Sequence, residues 1–436
     1  MKRRIAVVGA GYAGLAAAME LARAGAAVTV YEANRIAGGR ARRVEYRDSV
    51  IDNGQHILLG AYTDTLRLIR EVGTEDALAR FPLRLEMRSR SALGEGHRFS
   101  LAAPRWPAPL HAAAALLTAR GLTWRERMAA IRFALALRRR GFRAGAATVG
   151  ELTAAQPAHV REWLWEPLAI AALNTPAAEA DAQVFANVLR DSVFRSRADS
   201  DLLLPRRDLS SLLPDAALEW LGRRGTTLRL GTRVMAIAQE PQAWSVRIAS
   251  GADRYDAVVC AVAPFQLDAV LPRHPALAPL RAGVGSLRHE PITTVYLQYD
   301  ISVRLPFPMI GLSGGHVQWV FDRETLSGSR GLLAAVISAS GAHSALPPDV
   351  LATLAHREVA AALGTLPAPR WTKVITEKRA TFACTPGAFR PGVGTALPGL
   401  FIAGDYIASD YPATLESAVR SGIAAAREAL QSAEPT

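Results

Sequence analysis

Apolar residues in this 436-residue chain gather in runs whose period changes from one stretch to the next. Residues 4–8, RIAVV, are apolar without alternation after Arg4, which predicts a parallel strand buried on both faces. LAAAMELARAG, just after a glycine-rich turn, has helical composition, and AAVTVYEA returns to a strand ending at Glu32. Further on, GTTLRLGTRVMAIAQEPQAWSVRIASG alternates and predicts an antiparallel excursion, while YDAVVCAVAP is continuously apolar and predicts another buried strand. GLFIAGDYIASDYPATLESAVRSGIAAAREAL predicts a short apolar strand, a turn and a long helix from about Ala413 onward. IDNGQHILLGAY, residues 51–62, opens like a buried strand and then sets Asp52, Asn53, Gln55 and His56 together before apolar residues resume. Strands alternating with helices place the chain in the α/β class.

The first turn, GAGYAG, has GxGxxG spacing between strand and helix. Gly9 permits the tight turn, Gly11 lets a pyrophosphate approach the backbone, and Gly14 lets helix and strand pack closely. The helix N-terminus then faces the phosphates, and Glu32 stands where a carboxylate accepts from a ribose 2′-OH. These features predict a Rossmann-type dinucleotide domain, and a chance glycine turn would lack the second strand and its acid. A nicotinamide enzyme could begin in the same way, so RIAGGRARR has to discriminate. Gly38, Gly39 and Arg40 form a second glycine turn with a cation placed for more phosphate or for a flavin edge; the plainer alternative is a Gly–Gly loop with a solvated arginine. Near the other end, Gly404 and Asp405 lie in a turn where the carboxylate can accept from a ribityl hydroxyl or order phosphate waters, or can simply precede a helix. That helix begins at Thr414 and Leu415, whose backbone N–H groups and positive dipole end suit the flavin N1/O2 region.

The GG-R turn resembles the signature of FAD-dependent amine oxidases, carotenoid desaturases and their relatives. In that group the two ends of the chain embrace one FAD, and the backbone at the position of Val234 touches adenine; by itself Val234 is only a strand residue. The resemblance implies an amine-oxidase-like architecture, with a discontinuous FAD-binding domain near 1–75, 205–285 and 370–436. An α+β substrate domain would occupy 76–204 and 286–369. No second dinucleotide fingerprint or internal repeat is present, so no dedicated NAD(P)H domain is expected.

Composition narrows the picture less. Hydrophobic residues at 50% and charged residues at 21% are ordinary for a globular chain of this length and exclude extensive disorder. Cys260 and Cys384 are far apart, with no CxxC or Cys/His spacing, so neither a disulfide framework nor a metal site is expected. The basic, apolar start imitates a signal peptide, but its glycines and fingerprint argue against one, and no uninterrupted run of about 18 apolar residues exists to span a bilayer. A formal charge of +12 suits an anionic partner, although the Arg-rich, Ala-rich composition is equally explained by codon bias. From Arg105 to Arg143 there are nine arginines and one acid, Glu126, interleaved with aromatic residues. Trp124, Met128, Ile131 and Leu135 align on one helical face and Arg125, Arg132 and Arg139 on another, which fits either an anionic membrane surface or packing on the chain's own domain. No recognition motif accompanies the charge, so nucleic acid is not expected.

Taken together, GAGYAG, Glu32, GGR, DNGQHILLGAY, WEPLAIAALNTP at 165–176 and AGDYIASDYPATLESAVRSG resemble the hydroxysqualene dehydroxylases of hopanoid biosynthesis over nearly the whole chain. DNGQH and LNTP are the specific part; the other motifs mark the wider flavoprotein superfamily. The resemblance implies reductive removal of the hydroxyl of a long isoprenoid, hydroxysqualene, with reduced FAD as donor, in the cytoplasm at the inner face of the cell membrane. It names no electron donor for FAD. Gly54 would let the 52–56 turn approach the isoalloxazine, where Gln55 and His56 address flavin and substrate, and His56 would protonate the departing hydroxyl. Tyr406, Asp410 and Tyr411 are competing donors; in the plainer reading Asp52 and Gln55 order a loop and His56 is a satisfied buried histidine. An FAD-dependent isoprenoid desaturase or amine oxidase would share most of these motifs, and a non-redox polyprenyl-binding escort protein can use the same fold.

Overall fold

A computed structural model describes residues 2–47, 49–89 and 98–432. Strands Thr227–Arg229, Ala27–Tyr31, Arg4–Val8, Ala257–Cys260 and Leu400–Ile402 lie side by side in that order in one all-parallel sheet. Segments from both ends and the middle of the chain therefore build a single layer. Ile5, Val7, Val30 and Val259 are fully buried in it, which accounts for their unbroken apolar runs. The helix Tyr12–Arg23 packs against the helix Leu415–Gln431 over this sheet. They cross at Gly422, where a Cβ would stand 2.0 Å from the Ala13 carbonyl oxygen, so only glycine fits.

The alternating middle segment divides in two. Ala236–Glu240, Ala243–Ile248 and Gly251–Tyr255 form the expected antiparallel meander. Thr227–Arg229, expected to belong to that excursion, instead pairs in parallel with Ala27–Tyr31 at the sheet edge. A period of two marks a strand without specifying its partner.

A seven-stranded mixed sheet forms the second layer, in the order Trp371–Phe382, His289–Gln298, Leu332–Ser338, Trp319–Asp322, Met309–Ser313, Arg84–Ser89, Arg98–Ala102. Trp371–Phe382 pairs along its length with His289–Gln298, so this strand joins the second sheet although the sequence reading grouped it with the C-terminal segment. Its half-exposed, mixed polar pattern suits an edge strand rather than a buried parallel one. A small antiparallel sheet, Leu58–Leu59, Leu202–Pro205 and Leu78–Phe81, bridges the layers. Cys260 and Cys384 are both free and buried.

Candidate active site

The glycine turn is held by contacts that leave no room for side chains. Gly9 has φ of +106°, and a Cβ there would lie 2.7 Å from the Ala261 carbonyl oxygen. At Gly14 a Cβ would lie 1.9 Å from the Gly9 carbonyl oxygen, so helix and turn touch directly. Gly11 forms a bridge with Gly38, and a Cβ on Gly39 would meet the Gly11 Cα at 3.4 Å, so the two glycine turns face one another. Glu32 is buried and accepts from the Ala10 and Asn34 backbone N–H groups, both at 2.8 Å. It therefore braces the turn. Val234 is buried just beyond Thr232, whose N–H bonds the Glu32 carbonyl at 2.7 Å.

Arg40 and Asp405, predicted separately from opposite ends of the chain, form an ion pair at 2.6 Å. Gly404 donates its N–H to Ser421 Oγ at 2.9 Å, which fastens this turn to the last helix. Thr414 caps that helix: its hydroxyl accepts from the Ser417 N–H at 3.1 Å, and its own N–H donates to Ser417 Oγ at 3.0 Å. Thr414 is thus occupied as a cap, and the flavin-facing role expected of this helix end rests on Leu415.

The 52–56 turn is clamped from several elements. Asp52 is almost fully buried; its Oδ1 accepts from the Leu209 N–H at 2.8 Å, and its Oδ2 lies 3.3 Å from Arg323. Tyr296 donates its hydroxyl to the Asp52 carbonyl at 2.9 Å. Burial pushes the Asp52 carboxyl up to about 6, against the opposing pull of Arg323 and the Leu209 N–H. Arg323 Nη1 also donates to Gln55 Oε1 at 2.8 Å, and Gln55 Nε2 donates to the His56 carbonyl at 3.0 Å. His56 Nδ1 donates to the Gly54 carbonyl at 2.8 Å. Burial holds this imidazole below its ordinary pKa, and Arg40 reinforces that while the Gly54 bond opposes it. A neutral ring with its proton on Nδ1 presents Nε2 as an acceptor, so donation from Nε2 requires a second proton.

The competing donors separate clearly. The Tyr406 hydroxyl is buried without a hydrogen-bond partner among the described residues, and burial keeps it protonated well above the usual range. Asp410 has a side chain 69% exposed, 3.4 Å from Arg190. Tyr411 already donates to Asp191 at 2.6 Å. Tyr406 is thus the buried alternative to His56, while Asp410 is open to solvent.

Sequence reading missed Arg323 and Glu416. Glu416 is buried and accepts from the Thr65 backbone N–H at 2.9 Å and its hydroxyl at 2.7 Å, tying the last helix to Thr63–Glu71. Neither position stands out in the sequence, because Arg323 lies in WVFDRETLS and Glu416 in YPATLESAV, where polar and apolar residues mix without a diagnostic spacing. The LNTP motif has a structural explanation. Asn174, in a left-handed conformation with φ of +47°, donates to Thr381 Oγ1 at 2.9 Å and accepts from the Ala339 N–H at 2.8 Å.

Residues 12–430 match the family described as flavin containing amine oxidoreductase. Hydroxysqualene dehydroxylase of Sinorhizobium fredii is 31% identical, with 99% of each chain covered. The chain belongs to the flavin-containing amine oxidoreductases, within their hydroxysqualene dehydroxylase family. The Rhodopseudomonas palustris member of this family is also 31% identical, covering 98% of each chain. A 15-cis-phytoene desaturase of Synechococcus elongatus is 36% identical over only 31% of this chain. Solved flavoenzyme folds superpose on it throughout: a putative protoporphyrinogen oxidase from Exiguobacterium sp. 255-15 (TM-score 0.72, 18% identity) and cyclohexylamine oxidase from Brevibacterium oxydans (TM-score 0.71, 19% identity), each with 99% of this chain covered. FAD is the cofactor of this oxidoreductase family. The residues present fit it: at the helix N-terminus the backbones of Gly11 and Gly39 face one another, a Cβ on either would point at the other's Cα at 3.9 or 3.4 Å, and the carboxylates of Glu32 and Asp405 are buried.

Proposed function

We propose that this enzyme removes the hydroxyl of hydroxysqualene to give squalene and water. The observation that carries this reading is end-to-end similarity to enzymes named for that reaction, whereas the desaturase likeness covers a third of the chain or less. Reduced FAD, when bound, supplies the hydride that replaces the C–O bond. Gly9, Gly11, Gly14, Glu32, Gly39, Arg40, Val234, Gly404, Asp405 and Leu415 would hold it. The Asp52–His56 turn, clamped by Arg323, would carry Gly54, Gln55 and His56 to the reacting face.

The protein's own task at the substrate is proton delivery, because hydroxide leaves an allylic carbon poorly until its oxygen is protonated. Doubly protonated His56 can donate from Nε2 while Nδ1 remains on the Gly54 carbonyl. Its lowered pKa makes it the stronger acid once charged and the scarcer one at neutral pH. Tyr406 is the second candidate, because its idle buried hydroxyl is a permanent but weak donor. Anaerobic incubation of reduced holoprotein with hydroxysqualene tests the function: mass analysis should show squalene, and recovered alcohol with flavin still reduced would reject it.

The parallel sheet would serve FAD and the seven-stranded sheet the isoprenoid. Among the described residues, no helix is long and apolar enough to cross a membrane. The helices Leu110–Leu117 and Trp124–Arg139 favour peripheral attachment to an anionic membrane on the cytoplasmic side. Trp124 is 62% exposed and Leu110 58%, Trp106, Leu117 and Leu135 are exposed too, and the second helix buries chiefly Ala130 and Leu137. The stripe through Trp124 and Leu135 thus faces away from the core, beside exposed Arg125, Arg132 and Arg139.

A further inference from the structure

Between the strand Leu400–Ile402 and the helix Leu415–Gln431, residues 403–414 form neither helix nor strand. Carbonyl groups in such a segment have no ladder to satisfy them and need other donors. Arg390 supplies these. Its Nη1 donates to the Ser409 carbonyl at 2.8 Å and the Tyr411 carbonyl at 2.7 Å. Its Nη2 donates to the Ile407 carbonyl at 2.6 Å and to Ser409 Oγ at 3.0 Å, with the Asp405 carbonyl at a longer 3.4 Å. Carbonyls of alternate residues thus converge on one planar fork, and none of these partners is a carboxylate. The guanidinium also lies over the Phe382 ring, 4.9 Å from its centroid. The chain beyond Arg390 continues the strap: the Pro391 carbonyl accepts from the Ala408 N–H and the Val393 carbonyl from the Ile402 N–H, both at 2.8 Å.

We propose that Arg390 is a positioning residue for FAD, fixing the 405–411 loop in the shape that presents the Asp405 carboxylate and the N-terminus of the helix Leu415–Gln431 to the cofactor. This role depends on FAD in the glycine cradle and on no particular substrate. Arg40 holds the loop at its start through the Asp405 carboxylate, and Arg390 holds it along its length through the backbone. Charge alone does not do this: a lysine ammonium places its donors on one nitrogen, whereas the acceptors here are divided between the two ends of a rigid fork. Because the partners are neutral and Ala408, Ser409 and Asp410 are exposed, the carbonyls freed by loss of Arg390 can turn to water. The fold then keeps most of its stability, and the cost of ordering the loop falls on cofactor binding.

Flavin release from the loaded protein tests this role, followed as the fluorescence that appears when diluted holoprotein gives up FAD. Arg390→Met should release FAD about tenfold faster or more, and Arg390→Lys should recover only a small part of that difference. The urea midpoint of the flavin-free chain, read by tryptophan fluorescence, should stay near wild type in both. In Arg390→Gly, millimolar guanidinium chloride should slow release where sodium chloride at the same concentration does not, a response that general loss of packing does not produce. Wild-type release from Arg390→Met or Arg390→Lys, faster release only in step with a lower urea midpoint, or no distinction between guanidinium and sodium overturns the assignment.

Discussion

Replacing Arg323 with Met removes the cation from a buried pair while roughly preserving side-chain volume. Asp52, whose side chain is 2% exposed, would then keep the Leu209 N–H but lose its only nearby positive charge among the described residues. Leaving one member of a buried pair uncompensated costs about 3–5 kcal/mol. That cost depends on pH, because burial already raises the carboxyl from 3.8 to about 6. Above 6 the wild-type pair is charged and the variant must bury a lone carboxylate or take up a proton. Below 6 Asp52 is protonated in both proteins, and the remaining deficit is the bond from Arg323 to Gln55, about 1–3 kcal/mol. Without Arg323 the carboxyl rises further, so the folded variant binds a proton that the unfolded chain releases, and its stability falls as pH rises. Urea unfolding near pH 8 and near pH 5, followed by tryptophan fluorescence and flavin release, should show a deficit larger by roughly 2 kcal/mol at the higher pH. A deficit equal at both values, or larger in acid, would refute the assignment of Asp52 and Arg323 as a charged buried pair.

Glu32→Ala should weaken FAD retention by about 1.5–3 kcal/mol or more, because the ribose acceptor and the brace on the Ala10 N–H disappear together; flavin remaining after gel filtration measures it. His56→Phe should retain FAD yet slow single-turnover flavin reoxidation by hydroxysqualene roughly 10²–10⁴-fold. In the unmodified protein that rate should fall as pH rises through a pKa below 6.5; a rate flat across that range transfers the proton donor to Tyr406. Changing Arg125, Arg132 and Arg139 to Gln should weaken binding to anionic vesicles by up to about 1 kcal/mol per residue, and unchanged binding would remove these helices from the membrane reading.

Local chemistry made the nucleotide half of the protein readable without coordinates. Gly9, Gly14 and Glu32 lie within one strand–turn–helix–strand unit, so their spacing carries their geometry, and the unbroken apolar runs at 5–8 and 257–260 reflect burial on both faces of one sheet. The polar cluster at 52–56 was equally visible, because hydrogen-bonding residues interrupt an apolar pattern there. What holds that cluster was not visible. Arg323 approaches from a strand end 271 positions beyond Asp52, and Arg40 meets Asp405 across 365 positions; pairing at such separation follows from sheet order, which no local period encodes. The protonation of His56 was hidden for the same reason: its residue type allows an acid, but burial, the Gly54 carbonyl and the charge on Arg40 decide the state of the ring. Residue type and spacing therefore determine which groups are available, and tertiary packing, through desolvation and contacts between distant segments, determines what charge each carries and what it can donate.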